Sequence, residues 1–167
     1  MRIHNALLLV AGLALAGPAL ANPLPPPSGP VVLTIDGSIA HSNADGGDAN
    51  FDLAMLEALP AKEIETTTPW TDGKQNFVGV ELAELLKHVG AAGTRGHAIA
   101  SNAYEVTFAL EDVTAHGGIV AYRQNGTALP ADKGPLWIVF PYDSDPMLLG
   151  DRFQSASIWN LVALSIR

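Results

Sequence analysis

The chain opens its folded part with Val31-Val32-Leu33-Thr34-Ile35, a β-branched run closed by the turn pair Asp36-Gly37, and this predicts a first strand. Asp52 then precedes Leu53, Leu56 and Leu59, the spacing of one helix face, and Pro60 ends the pattern. A short helix capped by Asp52 is expected there. Lys62 to Thr68 alternates Ile64 with polar and threonine neighbours and reads as a half-exposed strand that Pro69 terminates. The clearest helix runs from Val80 to Val89, where Leu82, Leu85, Leu86 and Val89 recur at helical spacing and Gly90 follows as the C-cap. Ala98 to Ser101 and Tyr104 to Phe108 read as two strands around Asn102. Ile119 to Tyr122 is another, followed by the hairpin signal Asn125-Gly126. Leu136 to Phe140 is continuously apolar between Gly134-Pro135 and Pro141, as expected of a buried central strand, and a last strand is expected within Ile158 to Ile166.

Strands outnumber helices, so the pattern predicts a single α+β domain dominated by mixed sheet rather than a βαβ repeat. That domain spans 31–167. Arg2, the apolar stretch from Ala6 to Ala16, Gly17-Pro18 and the small-residue ending Ala19-Leu20-Ala21 predict a secretory signal peptide over residues 1–21, and hence a periplasmic location. The apolar stretch is shorter than the ~20 residues of a membrane-spanning helix. Residues 22–30 are rich in proline, which fixes φ and lacks an N–H, and they are expected to form an extended tether ahead of the domain.

Composition removes several functions. With 17 acidic against 9 basic residues and no basic stripe, the chain is a poor match for nucleic acid. It contains no cysteine, so thiol nucleophiles, disulfides and thiolate-bound metals are all outside its reach. His41, His88, His97 and His116 are too far apart in sequence for a helical metal pair and are expected to be surface or capping residues. The segment Asp45 to Asp52 is oxygen-rich but lacks calcium-loop spacing, and an acidic loop feeding a helix is expected. No nucleophile elbow or phosphate loop occurs, so the residues alone supply no catalytic constellation. Trp137 belongs to an apolar run and is expected in the core. Trp70 follows Pro69 among Thr66, Thr67, Thr68, Thr71 and Asp72, and two readings of it stay open. Either the ring stacks on a planar heterocycle whose edge the hydroxyls and amides read, or it folds back on the core. Trp159, beside Ser155 and Ser157, carries the same alternatives.

Five segments share an order and spacing with a known group: Thr66-Thr67-Thr68-Pro69-Trp70, Phe77-Val78-Gly79-Val80 with Leu82, Leu85 and Leu86, Asn102-Ala103-Tyr104, Gly134 to Tyr142, and Ser155-Ala156-Ser157-Ile158-Trp159. In them the chain resembles the molybdopterin-binding domain of sulfite-oxidase-type oxidoreductases. It looks most like the small periplasmic branch without the metal ligand, including PruR-type pterin-binding regulators. The resemblance implies the sulfite-oxidase fold. It also places the metal-binding cysteine of the enzymes at Thr66, which is no soft ligand for molybdenum. Cofactor contacts are implied at Thr68, Trp70, Asn102, Tyr104, Tyr142, Arg152, Ser155, Ser157 and Trp159. A non-catalytic periplasmic protein that binds a reduced or molybdopterin-like pterin, without a metal, follows as the expectation. The PruR-type likeness further implies a membrane signalling partner with a cyclic-di-GMP output. The alternatives are a molybdopterin-dependent oxidoreductase with unconventional metal ligation and a structural subunit with an empty pocket.

Overall fold

The computed structural model describes residues 23–167, and the expected signal peptide lies outside them. Ten strands form two sheets. In the first, β1 (Val31–Gly37) pairs antiparallel with β2 (Ala49–Asp52) and parallel with β10 (Leu161–Ile166). Beyond β10 lie β5 (Arg95–Ala100) and β6 (Glu105–Ala109), both antiparallel to their neighbours. The second sheet runs from β3 (Ala61–Thr66) through β4 (Gln75–Glu81) to β7 (Ile119–Gln124), which also pairs with the two-residue β8 (Thr127–Ala128) and with β9 (Trp137–Val139). Four short helices connect them: α1 (Leu53–Glu57), α2 (Leu82–His88), α3 (Leu110–Ala115) and α4 (Asp151–Ala156). This is the mixed, strand-rich α+β architecture the pattern predicts. Among the described residues no helix is long and apolar enough to cross a membrane.

Asp52 caps α1 by accepting from the Met55 N–H at 2.8 Å, and Gly90 leaves α2 with φ +64°, where a side chain would be strained. Asn125 and Gly126 both take positive φ between β7 and β8, which matches the twist of a tight hairpin. The differences are local. The helix expected from Val80 begins at Leu82, because Gln75 to Glu81 forms β4, a strand the pattern did not predict. Gly79 hides it: a Cβ there would sit 2.2 Å from the Val120 carbonyl oxygen, so β4 approaches β7 at an irregular register where only glycine fits. The apolar run Leu136 to Phe140 is fully buried, yet β9 has one strand partner, β7; on its other side it meets the segment Ser157 to Leu161 through the Trp137–Trp159 bridge and the Ile138 N–H to Ile158 carbonyl bond. It is therefore a buried strand at the margin of its sheet, not a central one.

Two apolar clusters fill the interior. The larger draws on both sheets and the helices, with Leu33, Phe51, Leu85, Val120, Phe140 and Phe153 among its members. The smaller gathers Ile64, Phe77, Ile119, Leu129, Trp137 and Val139 on the second sheet, and Trp70 packs against both.

The proline-rich segment corrects the expectation of a free tether. Residues 23–30 form no helix or strand and bend at Ser28 and Gly29, but Leu24 is 8 % exposed and packs into the larger cluster. The Leu24 N–H donates to the Ser42 carbonyl at 3.0 Å, and the Asn43 side-chain amide donates to the Pro25 carbonyl at 2.8 Å. Further along, the Ser28 and Gly29 N–H groups each reach the Asp52 carboxylate at 2.7 Å. Prolines ask for no N–H partners, and the residues between them supply the anchors.

Candidate functional site

Three segments converge on one cavity of about 360 Å³, a size that admits a small planar ligand. The turn after β3 supplies Trp70, the β5–β6 turn supplies Asn102 and Tyr104, and α4 with the segment after it supplies Gln154, Ser155, Ser157, Ile158 and Trp159. The β5–β6 turn is bent by Ala103, whose φ of +66° is uncommon for a residue with a side chain. Its flanking residues, Asn102 and Tyr104, both face the cavity.

The walls are aromatic. Trp70 and Trp159 meet edge to face with ring centroids 5.6 Å apart, and each also packs on Trp137, at 6.1 and 6.0 Å. Trp137 is fully buried and donates its indole N–H to the Ser157 carbonyl at 3.2 Å. The Trp70 ring folds onto the core, as one of the two readings expects, and it also lines the cavity. The threonines fix its position. Thr68 Oγ1 accepts from the Trp70 N–H at 3.2 Å and bonds the Thr71 hydroxyl at 2.9 Å.

The polar atoms at the rim have defined orientations. Asn102 Oδ1 accepts from the Tyr104 N–H at 3.1 Å, so its NH₂ group is the remaining half. Gln154 Nε2 donates to the Leu149 carbonyl, so its Oε1 is the remaining half. Neither remaining atom makes a hydrogen bond within the described residues. The cavity thus presents one amide donor and one amide acceptor beside the Ser155 hydroxyl, next to the paired tryptophan rings. Ser157, buried, donates its hydroxyl to the Ile138 carbonyl at 2.6 Å and serves the wall more than the lumen.

Of the residues singled out from sequence, Trp70, Asn102, Tyr104, Ser155, Ser157 and Trp159 line the cavity together. Four do not. Thr66 is fully buried at the end of β3, accepting from the Asp143 N–H at 3.0 Å and donating to the Thr67 carbonyl. Thr68 is buried under the Trp70 turn. Tyr142 lies behind the wall, 3 % exposed, with its ring 6.1 Å from that of Trp70 and its hydroxyl unpartnered. Burial pushes the Tyr142 hydroxyl up to about 12, an effect that the nearby Ser157 hydroxyl only partly offsets. Arg152 faces away: its guanidinium stacks 4.6 Å over Phe153 and pairs with Asp112 at 3.2 Å. On α4 it stands roughly 200° around the helix from Gln154.

The turn carrying Trp70 is also tied down from the other side. Asp143 accepts from the backbone and hydroxyl of Thr67 and lies 3.7 Å from Lys74. The Thr67 hydroxyl, first, and its N–H hold the Asp143 carboxyl below its usual range. Gln154 and Ile158 were not singled out from sequence, although both adjoin residues that were. The α4 segment has too little apolar periodicity to announce a helix, which is the signal that would have turned Gln154 and Ser155 toward one side.

The histidine side chains bond to different groups, and among the described residues none lines the cavity. His41 bonds the His88 carbonyl, His97 bonds Glu105, and His116 bonds the Asp112 carbonyl, each at 2.7 Å. Among the described residues no group of three His, Cys, Asp or Glu side chains is arranged to hold a metal ion.

The sequence model of the family described as oxidoreductase molybdopterin binding domain matches residues 50–142, more than half of the chain. The match ends before α4, so the third wall of the cavity lies beyond it. No curated protein matches the chain.

Proposed function

The chain belongs to the oxidoreductase molybdopterin-binding domain family, and we propose that it is a non-catalytic periplasmic member that binds a pterin and signals its ligand state to a membrane partner. The observation that carries the pterin reading is a cavity walled by the Trp70–Trp159 pair, with an amide donor and an amide acceptor left over at Asn102 and Gln154. A pterin ring is flat, and one edge alternates an oxygen acceptor with N–H donors. Stacking on indole faces holds such a ring, and side-chain amides read its edge.

The residues fit the ring of molybdopterin better than the rest of the group. In sulfite-oxidase-type enzymes the metal takes a protein thiolate, and this chain contains no cysteine. At the position that resembles the ligand's, Thr66 has its hydroxyl spent on Asp143 and Thr67 and does not line the cavity. Bound in the cavity, a pterin supplies a π-surface and a lactam–amine edge. Trp70 and Trp159 hold that surface, Asn102, Gln154 and Ser155 orient the edge, and Tyr104 covers the mouth, 49 % exposed. The relay to a membrane receptor with a cyclic-di-GMP output is supported by the likeness to PruR-type regulators: a short single domain, a secretory leader and no metal-binding cysteine.

Replacing Trp70 with alanine tests the binding reading. Loss of one stacking face costs ~1 kcal/mol beyond area burial, about a fivefold or greater rise in Kd for dihydroneopterin. Because Trp70 is only half-buried, the variant should still melt cooperatively. A folded Trp70→Ala protein with wild-type affinity would sink the assignment.

A further inference from the structure

We infer that the cavity selects an uncharged, unphosphorylated ring and rejects the phosphate-bearing form of the same heterocycle. The inference rests on the pterin reading and concerns which pterin is accepted. Among the described residues no lysine, arginine or histidine lines the cavity. The two cations on bordering elements are already committed. Lys133 approaches the Trp159 ring at 5.9 Å but pairs with Asp132 at 2.8 Å, and Arg152 on α4 pairs with Asp112 at 3.2 Å. Gln154 and Ser155 come from the C-terminal half of α4, so the nearest free backbone groups of that helix are carbonyls, and the Ser155 carbonyl itself lies 3.4 Å from the Tyr104 hydroxyl.

A phosphate monoester carries about −1.5 to −2 charges at neutral pH and is ordinarily met by Arg, Lys or a set of N–H groups. Here it would enter a cavity with no cation among its described lining residues, in a protein whose formal net charge is −8. The groups that are present, an amide NH₂, an amide oxygen and a hydroxyl, suit neutral partners. The molybdopterin of the wider family carries a terminal phosphate, and these residues do not fit it.

The test compares dihydroneopterin with its monophosphate by quenching of tryptophan fluorescence, on the wild type and on Ser155→Lys, which adds a cation at the rim. Guanosine and guanosine monophosphate, which carry a similar lactam–amine edge, form a second pair. The wild type should bind the neutral member of each pair at least about tenfold more tightly, and added salt should narrow the gap by screening. Ser155→Lys should shift the ratio toward the phosphate by about tenfold or more. Equal or tighter binding of the monophosphate by the wild type, or an unchanged ratio in Ser155→Lys, would overturn this inference and leave the pterin reading standing. If neither form of either pair binds, the pterin reading itself fails, and this inference with it.

Discussion

Replacing Trp137 with alanine is expected to destabilise the domain by about 3–5 kcal/mol, the cost of truncating a fully buried aromatic. Trp137 is inaccessible to solvent and touches Phe77 edge to face at 5.4 Å, as well as both tryptophans of the cavity. Its removal leaves a void that cannot collapse easily, because β9 is held by β7 on one side and by the segment around Ile158 on the other, and the Ser157 carbonyl loses its indole donor. For a domain of this size the melting temperature should fall by roughly 10 °C or more. Ligand binding should weaken as well, since Trp70 and Trp159 both rest on this ring. Trp137→Phe, which keeps an aromatic ring but leaves a smaller void and loses the hydrogen bond, should recover part of the stability. A Trp137→Ala protein melting within about 2 °C of wild type would show that the ring is not the keystone of the smaller cluster.

Removing residues 23–29 is expected to lower the melting temperature by roughly 5–10 °C, although the sequence gives them no periodic apolar face. The loss of Leu24 burial alone is worth about 1.5–3 kcal/mol. The truncation also strips the Asp52 carboxylate of the Ser28 and Gly29 donors while leaving that of Met55. These bonds, Met55 first and then Gly29, hold the Asp52 carboxyl below its usual 3.8. A carboxyl lowered in the folded state contributes stability that is present above its unfolded value and is lost as the pH falls from there through the folded value. The full-length protein should therefore lose stability on acidification below about pH 4, and the truncated one should lose less across the same range. Melting curves between neutral and strongly acidic pH check both. Identical curves for the two proteins would mean that the segment does not pack in solution.

Where burial and period agree, the fold was legible from sequence. Val31 to Ile35, the α2 face at Leu82, Leu85 and Leu86, the Asn125-Gly126 hairpin and the Asp52 cap each carry a local physical signal that tertiary contacts reinforce. Features that depend on distant partners were not legible. Gly79 looks like a break in a strand until Val120 is placed 2.2 Å from its missing Cβ, and Leu24 looks like a lone apolar residue among prolines until the core is there to receive it. The same division runs through the site. Trp70, Asn102, Tyr104, Ser155, Ser157 and Trp159 lie on three separated segments, and family likeness grouped them where periodicity could not. Thr66, Thr68 and Tyr142 shape the cavity from behind it, and Arg152 is turned away by the helical geometry of α4 and by its pairing with Asp112. Gln154 was missed because its role depends on which half of its amide the Leu149 carbonyl consumes, something no sequence pattern encodes.

Whether the cavity walled by Trp70 and Trp159 holds a pterin is read from the absorbance and fluorescence of the protein purified from the cells that make it, before and after denaturation. The account predicts pterin emission distinct from tryptophan, released on unfolding in equimolar amount or restored by saturable titration with dihydroneopterin. A spectrum of tryptophan and tyrosine alone, with no saturable response to added dihydroneopterin, would contradict it.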